Sequence, residues 1–406
     1  MEKKKVILAY SGGLDTSVAI RWIQEKYEMD VIALGIDLGT DKDLKPAEEK
    51  ALKIGAIKSM TIEAKEEFIN SFIFPSLQAG ALYEKVYPLA TALGRPLIAK
   101  ILVETAEAEG ATAVAHGCTG KGNDQVRFDV AIHTLNPSLQ IIAPLREWNM
   151  TRNDAIEYAQ QNGIPVEVTK KSPYSIDENL WGRSIECGVL EDPWTEPPEE
   201  VYKWTNETKK TPDTPTYVEI GFERGIPVSI NGKARDGLSL IQELNQIAGE
   251  NGVGRIDHLE NRVVGIKSRE IYESPAAIVL FKAHHALEEL TMTKDALRFK
   301  DLVSTQYSDI VYSGLWFSTF QQDLTAYVLS TQRFVTGTVR LRLFKSNGTV
   351  VGRKSPFSLY THSLATYDKG DTFEHDAATG FIKIFGLATK TQAQVQQNAA
   401  KGEKQG

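Results

Sequence analysis

The stretch Val6-Ile7-Leu8-Ala9-Tyr10-Ser11-Gly12-Gly13-Leu14-Asp15-Thr16-Ser17 constrains the fold of this chain more than any other. Its apolar start shows no polar alternation, the pattern of a strand covered on both faces. The run breaks at Ser11-Gly12-Gly13 and resumes with Leu14, Val18, Ile20, Trp22 and Ile23, mostly at helical spacing. A strand, a glycine turn and a helix in that order make an anion site. The first helical N–H groups have no partners, the helix dipole favours negative charge, and glycine lets backbone approach a phosphate closely. Ser11, Thr16 and Ser17 add hydroxyl donors, and Asp15 is suited to orienting a magnesium ion.

The alternation continues along the chain. Val31 to Ile36 reads as a second buried strand ending at Asp37-Leu38-Gly39, followed by a helix over 46–54 stopped by Gly55. Met60-Thr61-Ile62 reads as a short strand, and 68–82 and 98–108 as helical. Ala111 to Ala115 is then a strand that runs into His116-Gly117-Cys118-Thr119-Gly120. Strands alternating with helices imply an α/β fold with a doubly wound parallel sheet, in which ligands bind beyond the carboxyl ends of the strands. The loops starting at Ser11, Asp37 and Gly117 are therefore expected along one edge. A capping-box start at Thr151-Arg152-Asn153-Asp154 and a stop at Asn162-Gly163-Ile164-Pro165 close this nucleotide-binding domain, assigned to 1–169.

A second domain, 170–364, reads as α+β. Its proline- and acid-rich excursion over 191–216 is anchored by Trp194 and Trp204. Strands are expected at Tyr217–Phe222, Val228–Ile230 and Val335–Phe344, with a hairpin turn at Ser346-Asn347-Gly348-Thr349. Helices fall at 238–248, 276–290 and 295–312. The last segment, 365–406, carries an apolar helical stripe of Ala377, Phe381, Ile384, Phe385 and Leu387, suited to packing on its own domain or on another subunit. Residues 392–406 are polar and expected to fray.

Composition excludes several partners. The formal net charge of −7 disfavours nucleic acid. Only two cysteines occur, Cys118 and Cys187, with no Cys-x-x-Cys, which argues against a structural zinc and for a reducing cytoplasmic compartment. No signal peptide and no bilayer-length apolar run is present, so no membrane partner is expected. His284-His285 lacks ligand-spaced neighbours, and no metal site is assigned in the protein itself. His116 is expected to be a satisfied structural histidine.

The glycine loop is neither a Walker A nor a dinucleotide fingerprint; Gly120-Lys121-Gly122 lacks the upstream glycine and the hydroxyl. Ser11 to Ser17 instead resembles the PP-loop of ATP pyrophosphatases, which cut ATP between the α and β phosphates. Further blocks sharpen the resemblance. They are His116 to Phe128, Ser175 to Leu180, Gly252 to Asp257 with Glu260-Asn261-Arg262, and Lys267 to Glu273. In this order and spacing the chain resembles the argininosuccinate synthase family, whose members join citrulline and aspartate with ATP.

The resemblance implies a citrullyl-AMP intermediate, AMP and pyrophosphate as products, ATP with Mg2+ as cofactors, and a homotetramer. It also implies site residues. ATP would meet Ala9, Tyr10, Ser11, Gly12, Gly13, Leu14, Asp15, Thr16, Ser17, Ile36 (usually alanine in the family) and Gly117. Citrulline would meet Tyr87, Asn123, Arg127, Ser175, Ser184, Glu260 and Tyr272, with Thr91 supplying a hydroxyl where Ala92 replaces a serine. Aspartate would meet Thr119, Asn123 and Asp124. Asp15 and Asp124 are the expected catalytic acids. Rival readings are another PP-loop ligase or tRNA-modifying enzyme, which would call for a glutaminase module or a basic surface, and a non-catalytic relative, which would call for an eroded loop.

Overall fold

The computed structural model describes residues 3–40, 44–120, 122–148, 150–165 and 173–402. Lys121 of the glycine-rich motif and the expected domain boundary near Thr169 lie outside the described residues. Two compact units emerge, Met1–Phe357 and Ser358–Gly406.

The first strands are β1 (Lys5–Ala9), β2 (Asp30–Asp37), β3 (Lys58–Glu63), β4 (Ala113–Ala115) and β5 (Gln140–Ile142). They form one parallel sheet in the order β3-β2-β1-β4-β5. Val6, Ile7 and Leu8 are fully buried, as an apolar run covered on both faces requires. Strand order reverses between β1 and β4, and that switch point opens a crevice at the carboxyl ends. The loops after β1, β2 and β4 share this edge because all five strands are parallel.

The next strands are β6 (Ser175–Asn179), β7 (Gly182–Glu186), β8 (Thr216–Glu223), β9 (Ile226–Ile230), β10 (Lys233–Ala234), β11 (Arg255–Asn261), β12 (Lys267–Glu273), β13 (Gly337–Phe344) and β14 (Asn347–Lys354). They make two further sheets, β11-β12-β7-β6 and β10-β9-β8-β13-β14. The first is antiparallel throughout, and three of its four strands, β6, β11 and β12, carry family-like blocks. Facing residues in an antiparallel pair share a side. The register Tyr272 opposite Ser184 opposite Asp177, with Glu260 opposite Ser268, therefore sets Ser175, Asp177, Ser184, Tyr272, Glu270 and Glu260 on one face. On the other face Glu273 is fully buried and clamps the 191–216 excursion. It pairs with Arg183 and accepts from the backbone N–H groups of Lys203, Trp204 and Thr205.

The β6–β7 turn ties the two sheets together. Leu180 N–H donates to Leu38 O at 3.0 Å, Asn179 Nδ2 to Ala90 O at 2.8 Å, and Trp181 Nε1 to Pro88 O at 3.0 Å. A side chain at Gly39 (φ +88°) would lie 2.6 Å from Leu180 Cβ, so only glycine permits this approach.

Four expectations need correction. Trp194, expected to anchor the 191–216 excursion, is 95% exposed, and Glu273 holds that segment through the backbone of Lys203, Trp204 and Thr205 instead. The helix expected over 98–108 spans Ala90–Glu109 and carries Pro96 within it. Its first turns are buried and held by Asn179 and by the Tyr87 hydroxyl, which accepts from Thr91 N–H, so tertiary contacts outweigh the proline. The β13–β14 hairpin turns at Lys345-Ser346, with φ of +47° and +64°, and Asn347-Gly348 already belong to β14. Contacts from outside the hairpin hold that turn: Ser346 Oγ meets Thr208 Oγ1 at 2.6 Å and Lys345 Nζ meets Asp213 at 2.8 Å. The terminal unit is helical over Leu387–Gly402 rather than frayed from 392, because alanine, glutamine and lysine are good helix formers. Within that unit Phe381, Ile384, Phe385 and Leu387 are exposed. No helix among the described residues is long and apolar enough to cross a membrane.

Candidate active site

The loop after β1 is shaped by its backbone. Gly12 has φ +75°, and a Cβ there would lie 2.9 Å from Ala47 Cβ. The Leu14–Tyr27 helix begins at Gly13 with no side-chain cap, so its first N–H groups face outward from the β1 edge. Ser11 Oγ and Thr16 Oγ1 lie 3.1 Å apart, Tyr10 OH and Ser17 Oγ likewise 3.1 Å, and Lys50 Nζ donates to Gly12 O at 2.9 Å. These contacts brace the turn. The loop after β4 lies alongside, since a Cβ on Gly117 would come within 3.1 Å of Thr16 Cγ2. Ile36 sits half-buried near the end of β2 on the same edge.

His116 holds the second loop. Its Nδ1 accepts from Cys118 N–H at 3.3 Å, which leaves Nε2 to donate to Asp129 Oδ1 at 2.8 Å. With 1% exposure and its ring stacked on Phe128, it is a buried, satisfied side chain. Burial and the neighbouring Asp124 push the Cys118 thiol up to about 12, so it is no thiolate nucleophile.

From Gly117 the chain runs into the Asp124–Leu135 helix, which carries Asp124 and Arg127 to the polar face of the β11-β12-β7-β6 sheet. Asp124 is gripped from both sides: Arg127 Nη1 donates to Oδ1 at 2.8 Å and Arg95 Nε to Oδ2 at 2.9 Å. Burial alone would raise this carboxyl, but the two guanidiniums hold it below the usual carboxylate range. Arg95 also pairs with Asp177 of β6. Arg127 is 4% exposed, and its Nε donates to Tyr312 O at 2.9 Å.

Glu260, 3% exposed, is the other pole. Tyr272 OH donates to Oε2 and Tyr312 OH to Oε1, each at 2.5 Å. Burial and the Glu260 charge, among other neighbours, push both phenols above their ordinary value, so they stay protonated donors. Tyr87 stacks on Tyr272 with centroids 4.1 Å apart, and Tyr83 on Tyr312. Asn123 joins the two poles. Its Nδ2 donates to Tyr312 OH at 2.8 Å, and its Oδ1 accepts from Val263 N–H at 2.9 Å.

The structure thus brings together Tyr87, Asn123, Asp124, Arg127, Glu260 and Tyr272, with Ser184 beside Tyr272 across the strands and Thr91 joined through the Tyr87 hydroxyl. Thr119 and Ser175 stand exposed outside this network. Sequence reasoning missed Arg95, Asp177, Tyr83 and Tyr312. A lone arginine in the apolar run from Ala90 to Val103 was a readable signal; nothing near Tyr312 was.

Comparisons with known proteins identify the family. The family model described as the arginosuccinate synthase N-terminal HUP domain matches residues 5–165, and that described as the arginosuccinate synthase C-terminal domain matches 174–392. A curated protein of Dehalococcoides mccartyi named argininosuccinate synthase is 61% identical over 393 residues, covering 97% of each chain. One of the same name from Symbiobacterium thermophilum is 59% identical over 98% of this chain and all of its own. Another from Halalkalibacterium halodurans is 59% identical over 97% of this chain and 96% of its own. With both family models matched and relatives about 60% identical over nearly the whole chain, the chain belongs to the argininosuccinate synthase family, ligases that use ATP to join citrulline to aspartate.

Proposed function

We propose that the loop from Ala9 to Ser17, with Gly117 and Ile36, takes ATP as its magnesium complex, and that the face around Glu260 takes citrulline. The observation that carries this reading is the run from Gly117 to Arg127. It touches the phosphate loop at one end and builds the charged network at the other. Glu260 suits the citrulline ammonium and Arg127 the α-carboxylate, a fork matching a planar anion. Tyr87, Thr91, Asn123, Ser175, Ser184 and Tyr272 supply the remaining polar contacts.

Citrulline's ureido oxygen attacks the α-phosphorus, and the bond to the departing pyrophosphate breaks. The N–H groups that open the Leu14–Tyr27 helix, which has no side-chain cap, meet with the hydroxyls of Ser11, Thr16 and Ser17 the charge that builds on the leaving group. Asp15 would hold the magnesium that enters with ATP, whose charge would offset that of the phosphates. Aspartate's amine, with its carboxylates held by Thr119 and Asn123 and the amine facing Asp124, then attacks the ureido carbon. The bond to AMP breaks and the amine sheds a proton. Asp124 acts as a fixed charge, since its arginine partners hold it ionised.

The reading extends to a nucleotide domain over 1–169, a synthetase domain over 170–364 and an oligomerising tail from 365, in a cytoplasmic homotetramer. The exposed apolar residues from Phe381 to Leu387 support the last assignment. Incubation with ATP, magnesium, citrulline and aspartate tests the chemistry: pyrophosphate and AMP should appear only with citrulline present. ADP and orthophosphate as products would overturn it.

A further inference from the structure

Tyr312 ends the Lys294–Tyr312 helix, and no motif read from the sequence includes it. Yet it touches three of the residues assigned to citrulline. Its hydroxyl donates to Glu260 Oε1 and accepts from Asn123 Nδ2, while its carbonyl accepts from Arg127 Nε. The Arg127 guanidinium also lies 4.8 Å from its ring centroid. The following turn presses on the same arginine: a Cβ at Gly314 would sit 2.6 Å from Arg127 Cα.

A phenol has one proton to give. Here the carboxylate receives it, so the oxygen accepts from the Asn123 amide. Asn123 is fixed in the same sense at its far end, where Val263 N–H reaches Oδ1. The chain of donors therefore runs one way, from amide through phenol to carboxylate. The ring cannot drift, because it stacks on Tyr83 at a centroid distance of 3.5 Å and an interplanar angle of 3°. Tyr83 and Tyr87 are held at a fixed spacing by a tight turn in which Glu84 and Lys85 have φ of +49° and +67°, so both tyrosine stacks flank Glu260 from one short loop.

We propose that Tyr312 is a positioning residue that aims Glu260 and Asn123 at the α-amino end of citrulline. The proposal rests on the reading that Glu260 receives the substrate ammonium. Without the hydroxyl, Glu260 loses one of two donors and the Asn123 amide loses its acceptor, while stacking, carbonyl and cation–π contact persist.

Tyr312→Phe is the test, with citrulline, aspartate and ATP varied separately. KM for citrulline should rise about tenfold or more, the size of a lost hydrogen bond to a charged group, while KM for ATP stays unchanged. The preference for citrulline over its analogue lacking the α-ammonium should shrink in the variant. Equal losses on the two substrates, or a citrulline KM within about twofold of the parent, would overturn the proposal. Glu260→Gln alone and combined with Tyr312→Phe separates the two layers. If Glu260→Gln leaves citrulline KM unmoved, the assignment of Glu260 fails. If it raises KM but the two effects simply add, only the role of Tyr312 fails. Melting curves of both single variants must coincide with the parent, and for any that do not, calorimetric binding of citrulline against ATP replaces the kinetic comparison with the same expected split.

Discussion

The edge of the parallel sheet and the face of the antiparallel sheet solve recognition in opposite ways. At the β1 edge the groups on offer are backbone N–H, glycine curvature and short hydroxyls. On the sheet face they are charged and phenolic side chains already bonded to one another, Asp124 between two arginines and Glu260 between two tyrosines. Phosphates are alike in every nucleotide, so generic donors serve them. An amino acid must be told from its analogues, which takes polar groups that are costly to leave unpaired. On the proposed reading, ATP is cleaved where strand, glycine turn and helix are consecutive in the chain, and substrate is chosen where distant strands meet.

The largest effect should come from the charged network. Asp124→Ala leaves Arg95 and Arg127 facing each other without their shared anion, and turnover should fall by about 10³-fold, the scale of losing a preorganised charge. Pyrophosphate release driven by citrulline alone should persist in part. Equal loss of both half-reactions would move Asp124 to the ATP end and blur the contrast between the two regions. A smaller effect is expected from Gly12→Ala. Its φ of +75° costs an alanine about 1–2 kcal/mol and its Cβ meets Ala47. KM for ATP should rise about tenfold with citrulline KM unchanged; a shift in citrulline alone would break the division of labour.

The same contrast decides what could be read in advance. Strand, glycine turn and helix are consecutive, so residues 6–17 disclose both fold and anion site. The Tyr272–Ser184–Asp177 row depends on strand register, and Tyr312 meets Arg127 from far along the chain. Such meetings leave no local pattern. The Lys345-Ser346 turn failed for the same reason, since contacts from Thr208 and Asp213 override the Asn-Gly preference. Resemblance supplied Glu260 and Tyr272 by position, but it could not say that each oxygen of Glu260 already holds a phenol.

Glu270 gives the sheet face a pH signature. It is 6% exposed, and burial with the nearby Glu186 and Glu260 pushes its carboxyl up to about 8 despite Arg262. The folded state therefore binds this proton more tightly than the unfolded chain. Its contribution is present below the ordinary carboxylate range and is lost as pH rises toward 8. Melting temperature should fall between pH 5 and 8 by roughly 2–4 °C for each kcal/mol lost, and Glu270→Gln should flatten that slope. A slope unchanged in the variant would assign the dependence elsewhere.

The smallest effect concerns Ile36, proposed at the nucleotide edge, where the family resemblance implies alanine. It pairs in register with Ile62 of β3 and packs half-buried against the main core. If the β1 edge reads nucleotide through backbone, the side chain matters for packing and not for ATP. Ile36→Ala should then cost about 1–2 kcal/mol of stability, below the usual range for a fully buried isoleucine, because part of the surface is already wet. KM for ATP should stay within about twofold, too little to count as a lost contact. A tenfold rise would mean that this edge also recognises its ligand through side chains, and the two regions would differ in degree rather than in kind.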